Sequence, residues 1–92
     1  MLLSLAPNPA IDRILIVPNF RDADVCRVTE RIDTAGGKGF NVVRVARTLG
    51  LPVHGCAPLG GDTGRQIAAL ADAEGLTGSW HWLQQGESRA II

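Results

Sequence analysis

The chain is 92 residues long, carries a formal charge of zero and is 46% hydrophobic and 20% charged. This balance excludes an electrostatic hold on nucleic acid or on an anionic membrane. No apolar run nears the ~20 residues of a membrane span, and Met1-Leu2-Leu3-Ser4-Leu5 has neither the basic region nor the length of a secretory signal. Cys26 and Cys56 show no paired spacing, which points to a reducing cytoplasm rather than a disulfide scaffold or a zinc site.

Leu2–Ala6 reads as a short buried strand, stopped by Pro7-Asn8-Pro9. Arg13–Val17 is β-branched and apolar and predicts a second strand, ended by Pro18-Asn19. Val28–Thr34 predicts a half-exposed third. After a glycine-rich turn, Val42, Val45, Ala46 and Leu49 recur at i, i+3, i+4 and i+7, which predicts an amphipathic helix capped by Gly50. Pro52–Pro58 holds one strand. Gly60-Gly61-Asp62-Thr63 opens a second helix, with Asp62 or Thr63 as its cap, Ile67, Leu70 and Ala71 on its apolar side, and Gly75 at its end. Ser79–Gln84 predicts a strand with Trp80 and Trp82 on one face, and Arg89–Ile92 begins another.

Strands alternating with helices imply a parallel α/β sheet that needs cover on both faces. Two helices are too few for that cover, and Ala90-Ile91-Ile92 lacks a solvated ending. The chain is therefore expected to be the front part of a longer protein.

The glycine-rich turn holds the clearest chemistry. Of nine basic residues eight are arginine, and Lys38, between Gly37 and Gly39, is the only lysine. A glycine turn before a helix brings backbone N–H groups close to an anion, and the helix start adds partial positive charge. A tight turn with one solvated lysine is the plain alternative. A P-loop is excluded, because Gly39 and Phe40 follow Lys38 where Ser or Thr is required. The dinucleotide pattern fails as well, with Val42 at its third glycine.

Ala35-Gly36-Gly37-Lys38-Gly39-Phe40-Asn41-Val42 resembles the first signature, G-G-K-G-x-N-x-A, of the ribokinase-like, phosphofructokinase-B family of sugar kinases. Ala6-Pro7-Asn8-Pro9-Ala10-Ile11-Asp12 is similar to the family's opening T-P-N-P-A-x-D. Leu59-Gly60-Gly61-Asp62-Thr63-Gly64 is similar to L-G-x-D-x-x-G, and Gly86-Glu87-Ser88-Arg89 to G-E-T-R. These segments run in order over nearly the whole chain. The Asn-Pro-Ala form of the opening resembles the branch of 1-phosphofructokinase and tagatose-6-phosphate kinase.

The resemblance implies the N-terminal part of a ribokinase-like α/β fold: a parallel sheet with flanking helices plus strands of a small β lid. The core is expected at about 1–11 and 35–78, and lid strands at about 12–34 and 79–92. It implies ATP-dependent phosphorylation of a sugar-phosphate hydroxyl, with fructose 1-phosphate the leading substrate. ATP and Mg2+ would bind mainly outside this segment, as would the catalytic base. The substrate contacts carried over are Asp12 for sugar hydroxyls, Gly36 and Gly37 as hinge and close-approach glycines, Lys38 and Asn41 as polar contacts, and Arg89 for the substrate phosphate.

Read without the family, Asp12 is also a turn or cap residue after Pro9, and Arg89 a solvated strand residue. Two departures stand out: Val43 replaces the usual alanine, and Ser88-Arg89-Ala90-Ile91 lacks two polar side chains of T-R-T-N. His54 and His81 have no spaced partners for a metal. Trp80 and Trp82 read as a buried strand face, a sugar-stacking pair or a dimer contact, and the resemblance implies a homodimer through the lid. The other readings are a non-catalytic sugar-phosphate-binding fragment and a kinase of another sugar or nucleoside.

Overall fold

A computed structural model describes residues 1–21 and 25–92. Residues 22–24, inside the 12–34 stretch assigned to the lid, lie outside the described residues. The elements are β1 (Leu2–Leu5), β2 (Ala10–Ile16), β3 (Glu30–Gly36), α1 (Lys38–Thr48), β4 (Val53–Leu59), α2 (Gly61–Glu74), β5 (Gly78–Trp82) and β6 (Arg89–Ile91). They form two three-stranded sheets. The first is parallel, in the order β1-β4-β5, and the second runs β3-β2-β6. In the second, β2 pairs antiparallel with β3 and parallel with β6.

Proline and glycine punctuate the chain where the sequence predicts. Both helices end on a left-handed glycine. Gly50 (φ 77°) donates to Arg47 O while Leu51 donates to Ala46 O, and Gly75 (φ 77°) donates to Asp72 O while Leu76 donates to Ala71 O. Such paired bonds satisfy carbonyls that the helix itself leaves open.

Four expectations need correction. Strand β2 begins at Ala10, directly after Pro9, and not at Arg13. Asp12 is thus a strand residue, not a turn or capping residue. Strand β3 runs later than Val28–Thr34, through Ala35 and Gly36, because its register to β2 pairs Gly36 with Ala10. Of the four positions expected on the apolar face of α1 only Ala46 is buried; Phe40 and Val43 join it in the core, while Val42, Val45 and Leu49 are exposed. With Leu2 and Leu51 those three line an open apolar groove of about 380 Å³. Finally, β5 joins the core sheet beside β4, and only β6 of the 79–92 stretch reaches the second sheet.

The core lies between the first sheet and the helices. It comprises Ala6, Ile11, Ala35, Phe40, Val43, Ala57, Leu59, Ile67, Ala71 and Leu76. Trp80 closes it, its ring 5.5 Å from that of Phe40, whereas Trp82, at the end of β5, stays exposed. The bulk that Val43 adds over the usual alanine is accommodated on the sheet. Its Cγ2 lies over Gly55 of β4, 3.1 Å from where a Cβ would stand, so the missing side chain on β4 makes room for the extra methyls. Ser4, buried in β1, donates to Gly39 O at 2.9 Å and fastens the strand to the start of α1.

Candidate functional site

The Ala6–Asp12 stretch and the glycine turn are built against each other. A Cβ at Gly36 would overlap the Asp12 carboxyl group, and one at Gly39 would overlap Ala6. At Gly37 it would stand 3.0 Å from Asn8 O, and Gly37 has φ +100°, a conformation that side chains disfavour. Each glycine therefore answers to a different residue of the opening segment. Asp12 is half-buried, and its carboxylate makes no hydrogen bond or ion pair with a described residue.

Gly37 is the N-cap of α1. No side chain among the described residues caps this end, and no acidic residue lies in its first turn. Gly37, Lys38, Gly39 and Arg89 line a cleft of about 400 Å³ together with Leu5, Ala6, Pro7 and Asn8. Lys38 and Arg89 are exposed and have no ion-pair partner among the described residues. Their two cations and the positive end of α1 favour an anion in that cleft. Arg89 arrives there because β6 pairs with β2, with Arg89 opposite Ala10, two residues before Asp12.

Asn41 stands apart from this cleft. It is exposed and lines the apolar groove beside Val42 and Val45. Its Oδ1 accepts a hydrogen bond from Arg44 Nη1 at 3.0 Å. Arg44 also donates to Ala35 O at 2.7 Å and to both carboxylate oxygens of Glu74. The hydrogen bond to Glu74 is the main cause holding the Arg44 guanidinium above its ordinary pKa. The charges of Glu74 and Asp12 add to it, against partial burial. The same bond holds the Glu74 carboxyl below the usual carboxylate range.

The second glycine turn has a different fate. Neither Asp62 nor Thr63 caps α2 through its side chain; the N-cap is Gly60, and Asp62 pairs with Arg65. The cap comes from far along the chain. Glu87 Oε1 accepts from Thr63 N at 2.6 Å, and Ser88 Oγ accepts from Gly60 N at 3.0 Å. Gly61 (φ +64°) lies under the Glu87 carboxylate, where a Cβ would overlap it. Sequence reasoning missed Glu87, Ser88, Arg44 and Glu74. The first two sit in the G-E-T-R-like segment, which was the available signal. Elsewhere, His54 Nε2 contacts Ser79 Oγ at 2.8 Å on the surface. Among the described residues no three His, Cys, Asp or Glu side chains group as a metal site requires. No helix among them is long and apolar enough to cross a membrane.

Residues 6–91 match the pfkB family carbohydrate kinase. Solved structures agree. Phosphofructokinase-2 from Escherichia coli in complex with fructose-6-phosphate superposes with a TM-score of 0.84 at 25% identity, over 96% of this chain and 29% of that one. A Thermotoga maritima protein described as a possible 1-phosphofructokinase gives 0.85 at 27% identity, over 98% and 29%. A carbohydrate kinase from Agrobacterium tumefaciens gives 0.72 at 26% identity, over 98% and 30%. The chain thus spans under a third of the length of these structures.

Proposed function

The chain belongs to the pfkB family of carbohydrate kinases, and on that premise we propose that its full-length protein transfers a phosphoryl group from ATP to a hydroxyl of a sugar phosphate. Fructose 1-phosphate is the preferred acceptor, giving fructose 1,6-bisphosphate. The Asn8-Pro9-Ala10 opening and the likeness to the Thermotoga maritima structure support it. The likeness to the Escherichia coli complex keeps fructose 6-phosphate as a second reading.

The observation that carries the proposal is the asymmetry of charge around Gly36–Gly39. The carboxylate of Asp12 stands over Gly36 with no hydrogen-bond or ion-pair partner among the described residues, while Lys38 and Arg89 flank the adjoining cleft. A carboxylate accepts from sugar hydroxyls, and an arginine fork and a lysine suit a phosphate. Gly36 and Gly37 allow the close approach and serve as the hinge between the sheets, the second sheet acting as the lid. Asn41 lies outside that cleft; its reading as a substrate donor rests on the family resemblance, and Arg44, which bonds it and feels the Asp12 charge, links it to the Asp12 side of the site. No residue of this chain is assigned as the base. The nucleotide and its metal would be held by parts of the protein outside this chain, so the 92 residues alone are expected to be inactive.

On β2 and β3 the exposed Ile14, Ile16 and Ile32 share one face, with Ile14 opposite Ile32. This apolar face supports a homodimer through the lid. A cytoplasmic location fits the same reading.

The test is ATP-dependent phosphorylation by the full-length protein of fructose 1-phosphate, fructose 6-phosphate and tagatose 6-phosphate. Asp12→Asn should raise the sugar-phosphate KM roughly ten- to a hundredfold, as expected for losing a charge-assisted hydrogen bond. ATP KM should barely move. Turnover of none of the three, or an effect falling on ATP, overturns the proposal.

A further inference from the structure

Arg44 ties together three parts of the chain that are distant in sequence or belong to different elements. Its guanidinium meets Asn41 on its own helix, the Glu74 carboxylate at the end of α2, and the Ala35 carbonyl at the end of β3. Ala35 is fully buried and immediately precedes the Gly36-Gly37 pair. A single fork thus reaches the proposed hinge and a proposed substrate contact at once. We propose that Arg44 is a positioning residue for the sugar-phosphate site, acting through the Asn41 amide and through the backbone at the end of β3. The inference rests on the reading of Asn41 as a substrate contact.

The chemistry is directional. An amide offers one carbonyl oxygen and one NH2 group. Arg44 engages one lone pair of the oxygen and so orients the amide, which leaves the NH2 as its unused donor group for a ligand. That suits hydroxyl or phosphate oxygens. The bond to Ala35 O fixes the last buried peptide before the hinge, so that lid motion starts at Gly36 and not deeper in β3. Glu74 keeps the guanidinium in place, since a planar fork held on its Nε edge by a carboxylate has little freedom left. A purely structural ion pair between α1 and α2 would need only Glu74, and would leave the bonds to Asn41 and Ala35 without consequence.

The experiment uses the full-length protein. Arg44→Gln should raise the sugar-phosphate KM roughly tenfold, the size expected for a lost charged hydrogen bond, with ATP KM unmoved. In an Asn41→Ala background the same change should add little, because the effect passes through Asn41. The exchanged pair Arg44→Glu with Glu74→Arg should recover the melting temperature lost in Arg44→Glu but not the KM, since residue 44 then has no donor. Additive effects in the double-mutant cycle, or a KM recovered by the exchange, overturn the inference. If the wild-type protein phosphorylates no sugar phosphate, the proposed function falls and hydrogen exchange of the ligand-free protein decides Arg44 by itself. Amides at Gly36, Gly37 and Lys38 should then exchange roughly tenfold faster in Arg44→Gln, and unchanged exchange overturns the tie.

Discussion

The two glycine-rich helix starts are alike in sequence and opposite in state. Each places a glycine beneath a carboxylate: Gly36 under Asp12, Gly61 under Glu87. At α2 the carboxylate is already bonded, because Glu87 accepts from Thr63 N and Ser88 completes the cap. The positive end of that helix is satisfied by the chain itself. At α1 no side chain among the described residues closes the end, Asp12 has no hydrogen-bond or ion-pair partner among them, and Lys38 and Arg89 add charge. Sequence resemblance between two turns therefore does not equate them. A helix start filled from within is structure, and one left open beside unpaired charges is available to a ligand.

The largest effects should come from closing the open turn or removing its charge. In the full-length protein Lys38→Ala should reduce kcat/KM for the sugar phosphate about a hundredfold, the upper range for one charged hydrogen bond. Lys38→Arg should also impair it, because a wide planar fork does not replace a compact ammonium. Lys38→Glu should be worse than either, since it puts an anion where the substrate's belongs. Melting temperatures should change little throughout, Lys38 being exposed and without a partner among the described residues. Full activity of Lys38→Ala, or its unfolding, would erase the difference between the two turns.

A second pair of substitutions separates the glycines. Gly61→Ala forces a side chain into φ +64° and against Glu87. It should destabilise by about 1–2 kcal/mol, read as a lower melting temperature with sugar-phosphate KM unchanged. Gly36 carries no such backbone strain, but an added methyl displaces the Asp12 carboxyl. Gly36→Ala should therefore act mainly on the sugar-phosphate KM. Equal losses of stability at both positions would argue that Asp12 is only packing.

Much of this was legible in the sequence, and the exceptions share a cause. Helix and strand ends were marked by Gly50, Gly75, Pro7 and Pro18, residues that act on their own backbone. The face of α1 was misread because the helix carries two apolar stripes. Val42, Val45 and Leu49 repeat as well as Phe40, Val43 and Ala46, and periodicity cannot say which one the sheet covers. Gly55 receiving Val43, the tie between Arg44 and Glu74, and the capping of α2 by Glu87 all join residues far apart in the chain. Charge pairs and space-sharing pairs of that kind leave no local pattern. Lys38, Asp12 and Arg89 are proposed through motifs, and what the sequence left out was the support behind them. It showed Asp62 beside a glycine turn and suggested a cap. The fold gives that task to Glu87 and leaves Asp62 to Arg65.

The smallest effect should be the most specific. Glu87→Gln keeps the shape and one acceptor but removes the charge from the start of α2. A charged group at a helix N-terminus contributes ~0.3–1 kcal/mol when exposed, and Glu87 is exposed. The full-length protein should therefore lose at most a few degrees of melting temperature, and less at high salt, where the interaction is screened. Sugar-phosphate KM should move only as far as Arg89, two residues on, shifts with the loosened segment. Glu87→Ala removes the acceptor as well as the charge and should cost more stability than Glu87→Gln. A large kinetic defect in Glu87→Gln with stability intact would contradict the comparison, because it would make the filled turn a functional end as well.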